Sequence, residues 1–167
     1  MSLSAAVLSR RSLLLAAMAG VFGSLWRPQP VLAASKAGDA SWDLNADQWR
    51  ERLSPQAYDV LRNEGTERPF TSPLNGEKRS GTYLCAGCDA ALFSSEAKFD
   101  SGTGWPSFWA PLPRAVGTSR DVALGYSRTE VHCARCGGHL GHVFDDGPRP
   151  TGKRYCMNGV ALSFQPA

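Results

Sequence analysis

Five cysteines and three histidines are the residues of this 167-residue chain whose types and spacing could do chemistry. Four of the cysteines form two knuckles, Cys85-Ala86-Gly87-Cys88 and Cys133-Ala134-Arg135-Cys136, the second followed by Gly137-Gly138. Two intervening residues let both sulfurs of a turn point at one centre, and two such turns complete a tetrahedron around a zinc ion. The neighbouring glycines allow the tight backbone this needs. The same residues could close two disulfides, or one knuckle could be a thioredoxin-like redox pair. No βαβ pattern surrounds either motif, and the pairing of the knuckles favours zinc. An ion held by four thiolates keeps no open position for water or substrate. It would contribute stability, on the order of 10 kcal/mol, and leave the chemistry to other residues.

Cys156 is the fifth. In an extended segment Arg154, Cys156 and Asn158 share one face, which sets a fixed positive charge and an amide on either side of the thiol. A thiol with a pKa near 8.5 is only about 3% ionised at pH 7, and a drop of about two units makes it mostly thiolate. Arg154 has the sign to produce such a drop. A lone strand cysteine can equally be a small buried hydrophobe. The histidines are His132, beside a knuckle cysteine, and the pair in Gly138-His139-Leu140-Gly141-His142. A regular strand sends His139 and His142 to opposite faces. Both serve one pocket only if Gly141 marks a bulge or turn; spacing alone favours one core and one exposed histidine. Gly104-Trp105-Pro106-Ser107-Phe108-Trp109 is an aromatic cluster that could pack a core or wall a small apolar pocket.

These residues need a scaffold, and the chain gives signals for one. Trp49 and Leu53 lie four apart on a short helix capped near Asn45. A second helix starts with Ser54 as cap and Pro55 in the first turn, buries Tyr58 and Leu61, and stops at Gly65. From 65 to 81 the chain is irregular, with Pro69, Pro73 and Asn75-Gly76 as turns. Beyond Gly81 short strands are expected at 82–85, 91–93, 121–127, 129–133, 139–144 and 154–164. The expected fold is a mainly β (α+β) domain over 45–167, antiparallel, with a small helical front.

Arg10, Arg11 and Arg27 lie in a leading stretch without acidic residues, and apart from them fifteen basic residues balance fifteen acidic ones. A neutral domain offers no electrostatic footprint to nucleic acid or an acidic lipid surface. Residues 1–34 themselves have the layout of a cleaved export signal: Arg10-Arg11, an apolar run from Ser12 to Trp26, and the small-residue ending Val31-Leu32-Ala33-Ala34. The run is shorter than a spanning helix, which argues against a retained anchor. The paired arginines resemble a bacterial twin-arginine signal, so the expected destination is the periplasm, after a flexible lead-in over 35–44. That route carries folded proteins, so the knuckles could take up metal in a reducing compartment before export.

Several blocks together resemble the B-type methionine sulfoxide reductases. They are Gly65-Thr66-Glu67-Arg68-Pro69-Phe70, Phe99-Asp100-Ser101-Gly102, Gly104-Trp105-Pro106-Ser107-Phe108, Gly141-His142-Val143-Phe144 and Arg154-Tyr155-Cys156-Met157-Asn158. The resemblance implies two antiparallel sheets (a β-tent) with N-terminal helices, and one structural zinc on Cys85, Cys88, Cys133 and Cys136. It also implies reduction of the R epimer of methionine sulfoxide, preferably peptide-bound, in oxidised proteins. Cys156 would be the nucleophile and Trp105 would hold the substrate methyl group. His139, His142 and Asn158 would line the site, with Arg154 beside the nucleophile. Two positions depart from the family pattern: Thr103 stands where many relatives carry a resolving cysteine, and Gly159 where serine usually follows the asparagine. With four thiols on zinc, the sulfenic acid formed on Cys156 would need an external, thioredoxin-like dithiol. A monomer is expected. The alternative is a zinc-stabilised binding module on the same scaffold without catalysis.

Overall fold

The first helix begins where Asn45 satisfies backbone donors that no helical carbonyl can reach. Its side chain accepts from the N–H groups of Asp47 and Gln48, both at 3.0 Å, and the Gln48 side chain accepts from Asn45 N–H at 2.9 Å. The computed structural model describes residues 40–167. The expected export signal and the first half of the lead-in, 35–39, lie outside the described residues. Within them no helix is long and apolar enough to cross a membrane.

Helix α1 spans Ala46–Arg52 and α2 spans Pro55–Asn63. Ser54 caps α2 through the Ala57 N–H, and Pro55 occupies the first turn, where its missing N–H leaves no bond unmade. The helices bury Trp49, Ala57, Val60 and Leu61, while Tyr58 is only half-buried. The left-handed residue that ends α2 is Glu64 (φ 58°), not Gly65. Gly65 follows it in close approach to α2: a Cβ there would lie 2.3 Å from the Asp59 carboxylate, which would have to swing aside. Trp42, ahead of α1, already stacks on Trp49, with centroids 6.2 Å apart.

Nine strands follow in two antiparallel sheets, which matches the expected fold class. β1 (Gly81–Cys85), β2 (Ala91–Ser94) and β9 (Leu162–Pro166) form a small sheet in the order β2-β1-β9. The larger sheet runs β3-β4-β8-β7-β6-β5. Its strands are β3 (Lys98–Phe99), β4 (Ser107–Phe108), β5 (Val116–Asp121), β6 (Arg128–Cys133), β7 (His139–Phe144) and β8 (Arg154–Met157). Rings from both sheets meet in the core. Phe93 of β2 stacks on Phe108 of β4 at 4.4 Å, and Tyr83 of β1 meets the same Phe108 edge-on at 4.9 Å. Each fully buried ring of this kind contributes roughly 1.5–3 kcal/mol.

Two strand expectations change. Of the run 121–127 only Asp121 is strand, the last residue of β5; 122–127 is the connection to β6, because pairing ends at Asp121↔Arg128. Val122, Leu124 and Tyr126 alternate as strand residues do, yet all three are more than half exposed on the turn. The run 154–164 is two strands in different sheets. A short turn at Gly159–Ala161 carries the chain across. The buried Glu67 carboxylate accepts from the N–H groups of Gly159 and Val160 and holds that turn.

Candidate active site and metal centre

Cys156 sits on β8 between two strands, directly opposite Ser107 of β4 and His142 of β7. Side chains directly opposed across an antiparallel ladder lie on one face with Cβ atoms about 4.5–5.5 Å apart. The strand register therefore brings the thiol and the imidazole together. Both line a cleft of about 120 Å³ with Trp105, Asn158, Arg128 and Phe144. That is well below the roughly 300–1,000 Å³ of sites enclosing large ligands, and it suits one small side chain.

Whether both histidines reach this cleft turns on Gly141. β6 and β7 pair as Val131↔Gly141 and His132↔His139, which leaves Leu140 as the extra residue of a bulge. Gly141 has φ +156°, and a Cβ there would meet the Cys156 carbonyl oxygen at 2.1 Å. The bulge brings the two imidazoles to 5.3 Å between centroids. Their surroundings still differ. His142 lines the cleft, whereas His139 is 2% exposed, is not among the lining residues and pairs its Nδ1 with Glu130 Oε1 at 2.8 Å.

Arg154 pulls the thiol's pKa down, as its sign predicts, but does not bring it below the ordinary value. Its guanidinium is taken up by Asp146, Nε to Oδ1 at 2.9 Å and Nη2 to Oδ2 at 2.8 Å, and lies over the Phe144 ring. Burial pushes the Cys156 thiol above its ordinary value, against the opposing pull of Thr103, Arg154 and Ser107. Thr103 Oγ1 stands 3.8 Å from the sulfur. The hydroxyl chain continues from Thr103 to Ser101 (2.8 Å) and Ser107 (2.7 Å), and Ser107 donates to the Trp105 carbonyl at 3.1 Å. The Trp105 indole is fixed in turn, its Nε1–H donating to the Glu67 carbonyl at 3.1 Å.

Asn158 is a tie as much as a wall. Its Oδ1 accepts from Glu67 N–H at 3.0 Å and its Nδ2 donates to the Leu140 carbonyl at 3.0 Å, which locks the 65–67 segment to β7. At Gly159 a Cβ would lie 1.9 Å from Ser72 Oγ, so Ser72 fills the space a side chain there would need. Sequence reasoning missed Asp121, Arg128 and Glu130. Arg128 and Glu130 sit two apart on β6, so strand alternation alone could have placed them on one face. Asp121 carried no such signal, because its place depends on where the β5–β6 hairpin turns.

The knuckles meet at a second centre. The sulfurs of Cys85, Cys88, Cys133 and Cys136 are buried and lie within 4.8 Å of one another. Cys85 and Cys136 are 3.7 Å apart and Cys88 and Cys133 3.6 Å, too far for disulfides. A tetrahedron with metal–sulfur bonds of about 2.3 Å has edges of about 3.8 Å, so the quartet fits a four-coordinate metal ion with no fifth position. Arginines brace both knuckles: Arg52 donates to the Gly87 carbonyl, Arg62 to that of Cys136 and Arg135 to that of Cys88.

Residues 53–166 match the family model described as the SelR domain. The chain is 57% identical over 125 residues to the peptide methionine sulfoxide reductase MsrB of Pseudomonas putida, covering 74% of this chain and 94% of that one. To the protein of the same name in Bradyrhizobium diazoefficiens it is 54% identical over 135 residues, 80% and 97% of the two chains. To that of Leptospira interrogans it is 52% identical over 120 residues, 71% and 92%.

Proposed function

The chain belongs to the SelR-domain family of peptide methionine sulfoxide reductases, and from that premise we propose that it reduces the R epimer of methionine sulfoxide in oxidised proteins through a sulfenic acid on Cys156. The observation that carries this reading is the direct opposition of Cys156 and His142 in a small cleft walled by Trp105.

The Cys156 sulfur attacks the sulfoxide sulfur, and the departing oxygen needs a proton because oxide is a poor leaving group. His142 supplies it. The pair manages this with one proton between them. Burial holds the thiol above its usual value and the His142 imidazole below its own, so the resting form is neutral thiol beside neutral imidazole. Passing the thiol proton to His142 creates thiolate and imidazolium together, the two forms the reaction uses. Oxygen ends on Cys156 as the sulfenic acid, methionine leaves, the sulfoxide sulfur is reduced and the cysteine sulfur is oxidised. An external thioredoxin-like dithiol then returns Cys156 to the thiol with loss of water, since the other four cysteines are committed to the metal. Trp105, pinned through Glu67, offers an apolar wall to the substrate methyl group, which sets the epimer that places its oxygen towards His142.

The metal is zinc, which suits four thiolates at these spacings and lends stability without entering the reaction. Residues 1–34 act as a cleaved twin-arginine signal that delivers the folded, metal-loaded monomer to the periplasm. Turnover of the separated epimers by wild type and Cys156→Ser tests the proposal. Selective loss of the R epimer, absent in the variant, is expected; equal activity on both epimers or full activity in Cys156→Ser would overturn it.

A further inference from the structure

We propose that Asp121 is a positioning residue of the reaction, fixing His142 as the tautomer with its proton on Nε2 and so turning Nδ1 to the sulfoxide oxygen. This rests on the function proposed above for Cys156 and His142.

Asp121 ends the edge strand β5 and reaches across β6 to His142 on β7. Its Oδ1 accepts from the Ala123 N–H at 2.8 Å, while Oδ2 accepts from Arg128 Nη2 at 2.5 Å and from His142 Nε2 at 2.8 Å. All three side chains are largely withdrawn from solvent, at 13% exposure for Asp121, 18% for Arg128 and 12% for His142. A carboxylate with three donors around it stays ionised, and these contacts hold its pKa down to about 2. An ionised carboxylate has no proton to give. The proton in the Asp121–His142 bond therefore belongs to Nε2, and in the neutral ring Nδ1 carries the lone pair. No other hydrogen bond involves the His142 ring among the described residues. Nδ1 is then free to take the thiol proton and pass it to the sulfoxide oxygen as the sulfur–oxygen bond breaks.

The other ionisable groups around His142 do not do this work. Glu130, its cross-strand partner on β6, is bonded to His139 and Ser119. Arg128 on β6 and His139 on β7 both oppose a positive charge on the ring, and Cys156 on β8 is the proton's source. Asp121 is the group that favours the imidazolium. It offsets part of the burial cost without cancelling it, which keeps His142 below its ordinary value yet able to be charged during turnover.

The test combines the His142 tautomer with Asp121→Asn kinetics. In the wild-type protein at neutral pH, nitrogen NMR of the imidazoles should show His142 with its proton on Nε2; a proton on Nδ1 would overturn the proposal without any variant. Asp121→Asn should lower kcat for peptide methionine-(R)-sulfoxide about 10- to 100-fold with KM nearly unchanged. Its acid limb should move to lower pH, because the anion that raises the His142 pKa is gone. Asp121→Glu should recover part of the rate, and the metal content of both variants should match wild type. An Asp121→Asn enzyme with unchanged kcat and pH profile would overturn the assignment. Failure of the parent reading looks different: wild type would not reduce the R epimer at all, whatever its His142 tautomer.

Discussion

At the residue scale the site depends on two groups moved away from their ordinary values in opposite directions. Burial raises Cys156 and lowers His142. The reactive pair holds one proton, so it is lost below the His142 pKa, where a second proton binds, and above the Cys156 pKa, where the only proton leaves. The kcat/KM profile should therefore be a broad plateau, rising at a pH below 6.5 and falling at a pH above 9. Steady-state rates across that range check it; a narrow optimum with an alkaline fall below pH 8 would mean a thiol lowered by Arg154. Arg154 shows how the surroundings of a charge decide its effect. Sequence alone gives its sign and its face, but its bidentate partner Asp146 comes from the loop before β8 and spends much of the field.

At the element scale the site is built from register. Cys156 faces His142 because β8 pairs with β7, and the bulge around Leu140 lets His139 and His142 approach one another. Gly141 makes that bulge possible, since any side chain there collides with β8. Gly141→Ala should destabilise the protein by more than about 2 kcal/mol and cut activity with it. Denaturant unfolding measures the first effect, and a variant as stable as wild type would show that the strand adapts. The same scale explains what the sequence made legible. Helix N-caps and knuckles are local patterns, and they read correctly from neighbouring residues. Val122, Leu124 and Tyr126 imitate a buried strand, and only the partner strand's register shows that they sit on a turn. Asp121 was hidden for the same reason.

Across the whole molecule the cysteines divide into a structural quartet and one accessible sulfur. The quartet ties the turn after β1 to the turn after β6, so removing one ligand should undo both. Cys85→Ser should lose the bound metal and the cooperative transition, a loss on the order of 10 kcal/mol in a site of this kind. Cys156→Ser should keep the metal content and Tm of wild type. Metal analysis and thermal melts of the two variants separate the roles, and equal loss in both would mean that the division is wrong. The central claim is that the fifth sulfur takes the oxygen. Mass spectrometry of the intact protein after one stoichiometric turnover of peptide methionine-(R)-sulfoxide, with no reductant present, tests it most directly. One added oxygen atom on Cys156, no internal disulfide and four cysteines still holding metal are expected; an unmodified Cys156 beside reduced product would contradict it.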